Sequence, residues 1–180
     1  MSHDDFAALA ATWHDFYLTA GAAAAALIGL LFVGISINID EFTTEEGTGI
    51  RVLGEQAFAN FVFVLVISLM VLIPDQDQIS LALQLAIVGI LGTLRIVRRA
   101  MTLRRRSTAP FGGWRYPLRR LGLSGVACVG VIAVAVMVQR SPVASFYWLV
   151  GVILIYLTSA ADSAWDLLIE VGRERRRRAR

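Results

Sequence analysis

Residues 16–38 read FYLTAGAAAAALIGLLFVGISIN and contain no charged side chain. An α-helix needs about 20 apolar residues to cross a hydrocarbon core of about 30 Å, and this stretch is long enough. The residues before it, MSHDDFAALAATW at 1–13, carry aspartates where a secretory signal carries positive charge. We therefore predict that the stretch is a retained membrane-spanning helix.

Four further apolar stretches of similar length follow the first one. Hydrophobic residues make up 57% of the chain, against roughly 45–50% in soluble domains, and the mean hydropathy is +0.65. Lipid offers no hydrogen-bond partner to the backbone, so each stretch must be helical. The sequence predicts an all-α fold with one integral membrane domain over residues 1–180. Its five-helix bundle has spans at about 16–38, 57–74, 79–97, 121–139 and 143–165.

Aromatic residues recur at helical spacing just ahead of the first span and into it. They are Phe6, Trp13, Phe16 and Tyr17, with Leu9 among them. Such spacing predicts an amphipathic turn or two at the membrane interface, anchored by Trp13 and Tyr17. An extension of the first span explains the pattern equally well.

The arginines predict the orientation of the bundle. Of 17 basic residues, nine lie from Arg95 to Arg120 and six from Arg173 to Arg180. Positive residues near span ends stay in the cytoplasm, and five spans put both groups on one side. We expect an outside N-terminus and a cytoplasmic C-terminus. Basic residues that are all arginine, beside many Ala and Gly, are typical of a high-GC bacterial genome, which predicts a multi-pass protein of a bacterial inner membrane.

The same arginines predict a lipid contact. Anionic headgroups are the nearest partner for a basic run beside a membrane. Nucleic acid, which basic runs with aromatic residues also bind, is not expected. The residues predicted to contact headgroups are Arg98, Arg99, Arg104, Arg105, Arg106, Trp114 and Arg115.

Small residues in the first span predict how the helices associate. Helices in lipid pack closely through small side chains, because lipid is as apolar as they are. Gly21, Ala25, Gly29 and Ser36 lie at spacings of four and seven residues and form one stripe. We expect this stripe to make the tightest helix contact of the bundle. Self-association through such a face is equally compatible with the pattern.

Polar residues within the spans gather near one membrane face. They are Asn38, Asn60, Arg95, Ser124, Thr158, Ser159 and Asp162. Ionisable groups inside lipid are costly and are usually paired or functional, so Arg95 and Asp162 are predicted partners. The acids Asp166 and Glu170 share a helix face with Asp162 but fall beyond Trp165, which we expect at headgroup level.

This polar layer has two interpretations. It is either an ion or proton site open to the cytoplasm or a hydrogen-bonded clamp, with Arg95 extending towards the headgroups. A path through one copy would need polar groups across the whole membrane, and the other half offers Ser68, Gln84 and Tyr156. We therefore favour the clamp. A pore along the axis of an oligomer stays open as an alternative.

The sequence offers little to an enzyme. His3 and His14 form a weak metal pair, and the GTG at 47–49 lacks the lysine of a phosphate-binding loop. Cys128 lies in an apolar run and is interpreted as a small filler. We predict no catalytic residues, no cofactor and no metal.

The stretch WHDFYLTAGAAAAALIGLLFVGISINI at 13–39 and the stretch SAWDLLIEVG at 163–172 resemble those of a group of small bacterial polytopic membrane proteins, common in actinobacteria. The resemblance implies a five-helix membrane protein and brings no catalytic residues. Some members are labelled modulators of a membrane-bound AAA protease.

The sequence thus predicts a non-enzymatic accessory, regulatory or scaffold subunit that packs with itself or with a larger membrane protein. The alternative is a small homo-oligomeric ion channel with the polar layer at its cytoplasmic mouth.

Overall fold

A computed structural model describes residues 2–39, 48–106 and 115–178, and these residues form six helices and no strand. Five of the helices are long and apolar enough to span a membrane, which confirms the predicted all-α bundle with five candidate spans. The helices are α1 His3–Thr12, α2 His14–Ile37, α3 Thr48–Val71, α4 Gln78–Arg106, α5 Arg115–Arg140 and α6 Pro142–Arg178.

Three candidate spans extend well beyond the sequence prediction, and the one on α4 covers Gln78–Met101 rather than 79–97. The apolar part of α3 begins at Ile50 rather than near residue 57, and that of α6 continues to Arg173 rather than 165. The reason is that helical spacing of buried residues continues beyond the apolar runs. Ile50 and Val171 both belong to a small core that also contains Phe61 and Leu167. Both helices therefore continue to pack beyond the predicted boundary.

The four helices α3 to α6 pack as neighbours in chain order. α4 packs along α5, α5 along α6, and α6 along α3, whereas α3 and α4 touch over a short length although a tight turn joins them. α2 packs on the outside against α3. The arrangement is an up-and-down four-helix bundle with a fifth helix attached to one side.

The two ends of the bundle differ in composition. At the end where α2 and α6 begin, Trp13, Tyr17 and Phe146 pack together, with the Trp13 and Phe146 rings stacked at 6.0 Å. We call this the aromatic end. The opposite end, where α4 and α6 finish in arginines such as Arg99 and Arg173, is called the basic end.

α1 is a separate short helix that folds against the aromatic end. Ser2 and Asp5 form a capping box at its start. Phe6 is buried against Phe146, with ring centroids 6.1 Å apart. The chain breaks its helix at Trp13, so the predicted interfacial turn is a distinct helix and not an extension of the first span.

Among the described glycines, Gly89 has the tightest surroundings, and it lies where α4 packs on α5 and not on the predicted stripe of α2. A Cβ added at Gly89 would lie 2.5 Å from Ile132 Cγ1 and 3.3 Å from the Cys128 carbonyl oxygen. On α2, Gly21 packs on Ser68, where an added Cβ would lie 3.1 Å from Ser68 Cβ, but Gly29 has open space around it.

The expected α2 stripe is therefore wrong beyond Gly21, because Ala25, Gly29 and Ser36 are exposed. The helix is turned so that Tyr17, Ala24 and Leu31 are buried instead. Of these, Tyr17 and Leu31 make more van der Waals contacts against the bundle than glycine or alanine would, and the small residues Ala20 and Gly21 are buried beside them.

Candidate functional site

The most polar part of the interior is a ring of three side chains from three helices. Asn60 of α3, Ser124 of α5 and Ser159 of α6 are each at least 97% buried. Asn60 Nδ2 donates to Ser159 Oγ at 3.0 Å, and Ser124 Oγ donates to Asn60 Oδ1 at 3.2 Å. The two hydroxyl oxygens lie 3.3 Å apart. Because the Ser124 proton is used on Asn60, the Ser159 hydroxyl donates to Ser124 and closes the ring.

A chain of side chains connects this ring to the surface at the basic end. Gln56 Nε2 donates to Ser124 Oγ at 2.7 Å, and Arg99 Nη1 donates to Gln56 Oε1 at 3.1 Å. Arg99 also forms an ion pair with Glu55, whose side chain is 55% exposed. The arginine side chain thereby fills the gap between α3 and α4, where the helix backbones stand apart.

Arg95 lies beside this chain and not beside Asp162. Its Nη2 donates to the Glu55 carbonyl oxygen at 3.2 Å, and it lines the same small cavity as Asn60. Asp162 is on the exposed side of α6, three residues from the buried Ser159. The predicted Arg95–Asp162 pair is therefore corrected, since α3 and α5 both pack between the helices that carry the two residues.

The cavity within the polar group holds about 10 Å³, which is close to the least space that one water molecule requires. It is closed towards the aromatic end by Cys128 and Tyr156, whose sulfur and hydroxyl oxygen lie 3.1 Å apart. Phe63 stacks on Tyr156 with ring centroids 5.4 Å apart. The polar group thus leads from the surface to mid-bundle and ends at Tyr156.

Beyond Tyr156, the interior of the aromatic half is apolar. At the edge of this half, Gln76 Nε2 donates to Gln84 Oε1 at 2.7 Å. The buried Ser68 hydroxyl, which faces Gly21 of α2, has no hydrogen-bond partner among the described residues. The side chains that fill the centre are each 2% exposed or less: Val64, Ile67, Leu85, Val131, Val134, Leu149 and Ile153. A single copy therefore holds no continuous polar path among its described residues.

The remaining predicted layer residues lie apart from the ring. Asn38 ends α2 and donates to the Gly34 carbonyl at 2.8 Å, and Thr158 donates to the Leu154 carbonyl on its own helix at 2.8 Å. Both bonds satisfy a side chain locally and join no second helix. Of the seven predicted residues, the structure brings Asn60, Arg95, Ser124 and Ser159 together.

Of the residues predicted to contact headgroups, the structure describes the side chains of two, Arg98 and Arg99, and they face different ways. The Arg99 side chain is 18% exposed and binds Glu55 and Gln56, so it faces the protein interior and not the lipid. Arg98 is exposed. Trp114 and the side chains of Arg104, Arg105, Arg106 and Arg115 lie outside the described part of the chain.

Sequence reasoning missed the outer members of the polar group. Gln56 and Glu55 lie just before the predicted second span at 57–74, because their polarity breaks the apolar run. The signal that could have found them is the spacing of Ile50, Ala57 and Phe61, which continues a buried helix face through the polar residues. Cys128, predicted to be a small filler, places its sulfur against the Tyr156 hydroxyl.

Chemically, the ring can do little beyond holding helices in register. Asn60, Ser124 and Ser159 do not ionise near neutral pH, and each uses its hydrogen-bonding groups on the others. The described residues contain no group of three His, Cys, Asp or Glu placed to hold a metal ion. The arrangement is suited to specifying how α3, α5 and α6 meet.

Comparisons with protein-family models, with curated proteins and with solved structures give no match. The resemblance drawn from residues 13–39 and 163–172 stays a prediction.

Proposed function

We propose that the protein is a non-enzymatic scaffold or accessory subunit of a bacterial inner membrane, which packs laterally with itself or with a larger membrane protein. The observation that carries this proposal is the closed interior. The polar group ends at Tyr156, beyond a void of about 10 Å³, and an apolar core fills the other half. Such an interior favours a structural role over transport through one copy.

The proposed orientation has the N-terminus outside and the basic end in the cytoplasm. The support is the distribution of arginine, since both arginine groups lie at the basic end of the bundle. Positive residues near span ends favour the cytoplasmic side.

The proposed assembly surface is the outer side of α2. In the most apolar part of α2, 22% of residues are buried, compared with 44% in the corresponding parts of α3 and α6. Ala22, Ala25, Gly29 and Ser36 share an exposed face. Small residues let a second helix approach closely in lipid. The stripe predicted for contacts within the bundle is thus available for contacts between molecules.

The alternative, an ion channel formed by several copies, is less well supported. Asn60, Ser124 and Ser159 bond to one another inside each copy, so they are not available to line a shared axis. An axis lined by the face of α2 that carries Ala25 and Gly29 would present Ser36 and also the exposed Leu18.

The test is the mass of the purified protein in mild detergent, for wild type, Gly29→Leu and Gly122→Leu. Both glycines have open space for an added side chain, so both variants should fold. We expect wild type to form a defined oligomer, or to co-purify with a stoichiometric membrane protein, and Gly29→Leu to lose that association while Gly122→Leu keeps it. A membrane-bound AAA protease as the co-purifying protein would agree with the sequence resemblance.

Monomeric wild type without a partner would overturn the proposal, as would equal behaviour of the two variants. Cation flux into liposomes that carry the purified oligomer, abolished by Gly29→Leu, would favour the channel instead.

A further inference from the structure

The four helices α3 to α6 form a ring with one weak side. α4 packs along α5, α5 along α6 and α6 along α3, whereas α3 and α4 contact each other over a short length. We call the line along which α3 and α4 face each other, from the turn at 72–77 to Glu55 and Arg99, the seam. The small polar cavity lies at the seam, because α3 and α4 supply most of its lining, with α5 and α6 behind them.

The aromatic end of the seam is held by the chain and by close packing. The turn at 72–77 joins the two helices there, and Gln76 Nε2 of the turn donates to Gln84 Oε1 of α4 at 2.7 Å. About midway along the seam, the Phe63 ring of α3 covers Gly92 of α4, where an added Cβ would lie 3.1 Å from the ring. This half of the seam cannot part without disturbing the turn and this packing.

The basic end of the seam is bridged by two arginines of α4. Arg99 Nη1 donates to Gln56 Oε1 at 3.1 Å, and the same guanidinium group pairs with the Glu55 carboxylate. Arg95 Nη2 donates to the Glu55 carbonyl oxygen at 3.2 Å. The Glu55 side chain is 55% exposed, and partly exposed ion pairs contribute little to stability and weaken in salt. The closure at this end is therefore weaker than the closure at the aromatic end.

Arg99 lies between the surface and the polar cavity. Gln56, which accepts a hydrogen bond from Arg99, also donates to Ser124 Oγ inside the bundle at 2.7 Å. Cys128 lines the same cavity and is 1% exposed. Withdrawal of the Arg99 side chain would open a route from the side of the bundle to Ser124 and Cys128.

We propose that the seam is a lateral gate to the polar cavity, hinged at the turn at 72–77 and latched at its other end by Arg99. In the latched state, Arg99 holds α4 to α3 through Glu55 and Gln56. In the open state, the basic end of the seam parts and the cavity becomes accessible to polar groups outside the bundle. The gate uses contacts within one copy, so it does not depend on the proposed assembly surface or orientation.

Cys128 reports whether the gate is open, because it is the single cysteine of the chain and a free, buried thiol. The full-length protein in phosphatidylcholine nanodiscs is treated with methyl methanethiosulfonate, a small neutral thiol reagent, and mass spectrometry follows the modification of Cys128. We expect Arg99→Gln to react about tenfold faster than wild type, because the cavity is then open from the side. The matched control is Arg98→Gln, which removes the same charge from an exposed neighbour outside the cavity lining and should leave the rate unchanged.

The loss of charge alone predicts the opposite change. A nearby positive charge favours the reactive thiolate, so removal of Arg99 without opening would slow the reaction. Glu55→Gln, which removes the ion pair from the other side, should also speed the reaction. Raising NaCl from about 50 mM to about 500 mM should speed it in wild type and leave Arg99→Gln unchanged, because salt screens only an ion pair that is present.

Equal rates for Arg99→Gln and Arg98→Gln would overturn the gate. A Leu85→Ala rate as fast as that of Arg99→Gln would overturn it too, because Leu85 is buried in the aromatic half and Cys128 would then react through general loosening of the bundle. Thermal unfolding in detergent verifies that each variant folds. If Arg99→Gln does not fold, Glu55→Gln and the wild-type salt series decide, and a rate that neither of them changes overturns the latch.

Discussion

Along the axis of the bundle the interior changes its chemistry at Tyr156. Towards the basic end, Asn60, Ser124 and Ser159 join three helices by hydrogen bonds. Towards the aromatic end, side chains such as Leu85 and Ile153 fill the interior without polar contacts. One protein thus joins the same helices by two different kinds of interaction.

The comparison shows how each interaction specifies structure in lipid. Apolar side chains gain little by leaving lipid for a protein interior, so the aromatic half depends on close packing. The hydrogen-bonded ring is directional, because each bond requires one donor to face one acceptor. We infer that the ring sets the register of α3, α5 and α6, while close packing supplies most of the binding energy between helices.

The largest expected effect comes from breaking the packing between α4 and α5. Gly89→Leu would place a side chain where even a Cβ lies 2.5 Å from Ile132 Cγ1, with the α5 backbone also within 3.3 Å. The helices must separate, and we expect a loss of about 3 kcal/mol of stability or more. Thermal unfolding in detergent measures it. Gly125→Leu on α5, where the space is open, should change little; equal losses would contradict the packing account.

A smaller effect is expected from emptying the apolar half. Leu85 is fully buried and Leu83, two residues away, is 61% exposed. Leu85→Ala leaves a cavity, and we expect a cost of about 2 kcal/mol, at the low end of the range for soluble cores, because the transfer contribution is weak in lipid. Leu83→Ala should be near neutral in the same unfolding measurement. If both substitutions cost the same, packing does not distinguish the two faces of α4.

Sequence reasoning predicted well at which level along the bundle axis the three ring residues lie. Apolar runs reveal where a span crosses, and a polar residue within a run must lie at a definite depth. Asn60, Ser124 and Ser159 were therefore placed in one layer, and they do meet. The number of candidate spans follows from the same signal.

The direction in which a side chain faces was harder to predict. Ala25 and Gly29 were expected inside and are exposed, and Asp162 was expected to meet Arg95 and does not. Facing depends on which helices become neighbours, and a helix with alanine on several sides carries no strong pattern to indicate it. In lipid, an apolar residue is acceptable on either face, which removes the signal that soluble helices provide.

The hydrogen-bonded half is tested by comparing one substitution with three. Asn60→Leu leaves the hydroxyls of Ser124 and Ser159 without their amide partner, and we expect a loss of about 1–2 kcal/mol. Adding Ser124→Ala and Ser159→Ala removes both hydroxyls, and Gln56, which reaches the surface beside Arg99, loses only its bond to Ser124, so the triple variant should regain part of that loss. If the triple variant loses more unfolding free energy than the three single variants lose in total, the ring contributes stability as well as register.

The smallest expected effect is a difference between the two halves in how their stability depends on pH. Asp77 lies just before α4 at the aromatic end, where its carboxylate accepts hydrogen bonds from the backbone N–H groups of Ser80 and Ile79, each at 3.2 Å. The bonds from Ser80, with a smaller one from Ile79, lower the pKa of Asp77 below its ordinary value near 3.8. The stabilisation is present above that value and is lost as the pH falls through the lower pKa of the folded protein.

Acidification from pH 6 to pH 3 should therefore loosen the start of α4 and leave the ring unchanged, because Asn60, Ser124 and Ser159 carry no proton that is lost or gained in this range. Amide hydrogen exchange resolves the two regions. We expect faster exchange at the start of α4 in wild type at pH 3, after correction for the intrinsic rate, and little pH dependence in Asp77→Asn, whose amide caps the helix without titrating. Equal acceleration near Ser124 would show that the two halves open together, and the distinction between them would then concern bonding alone and not independent stability.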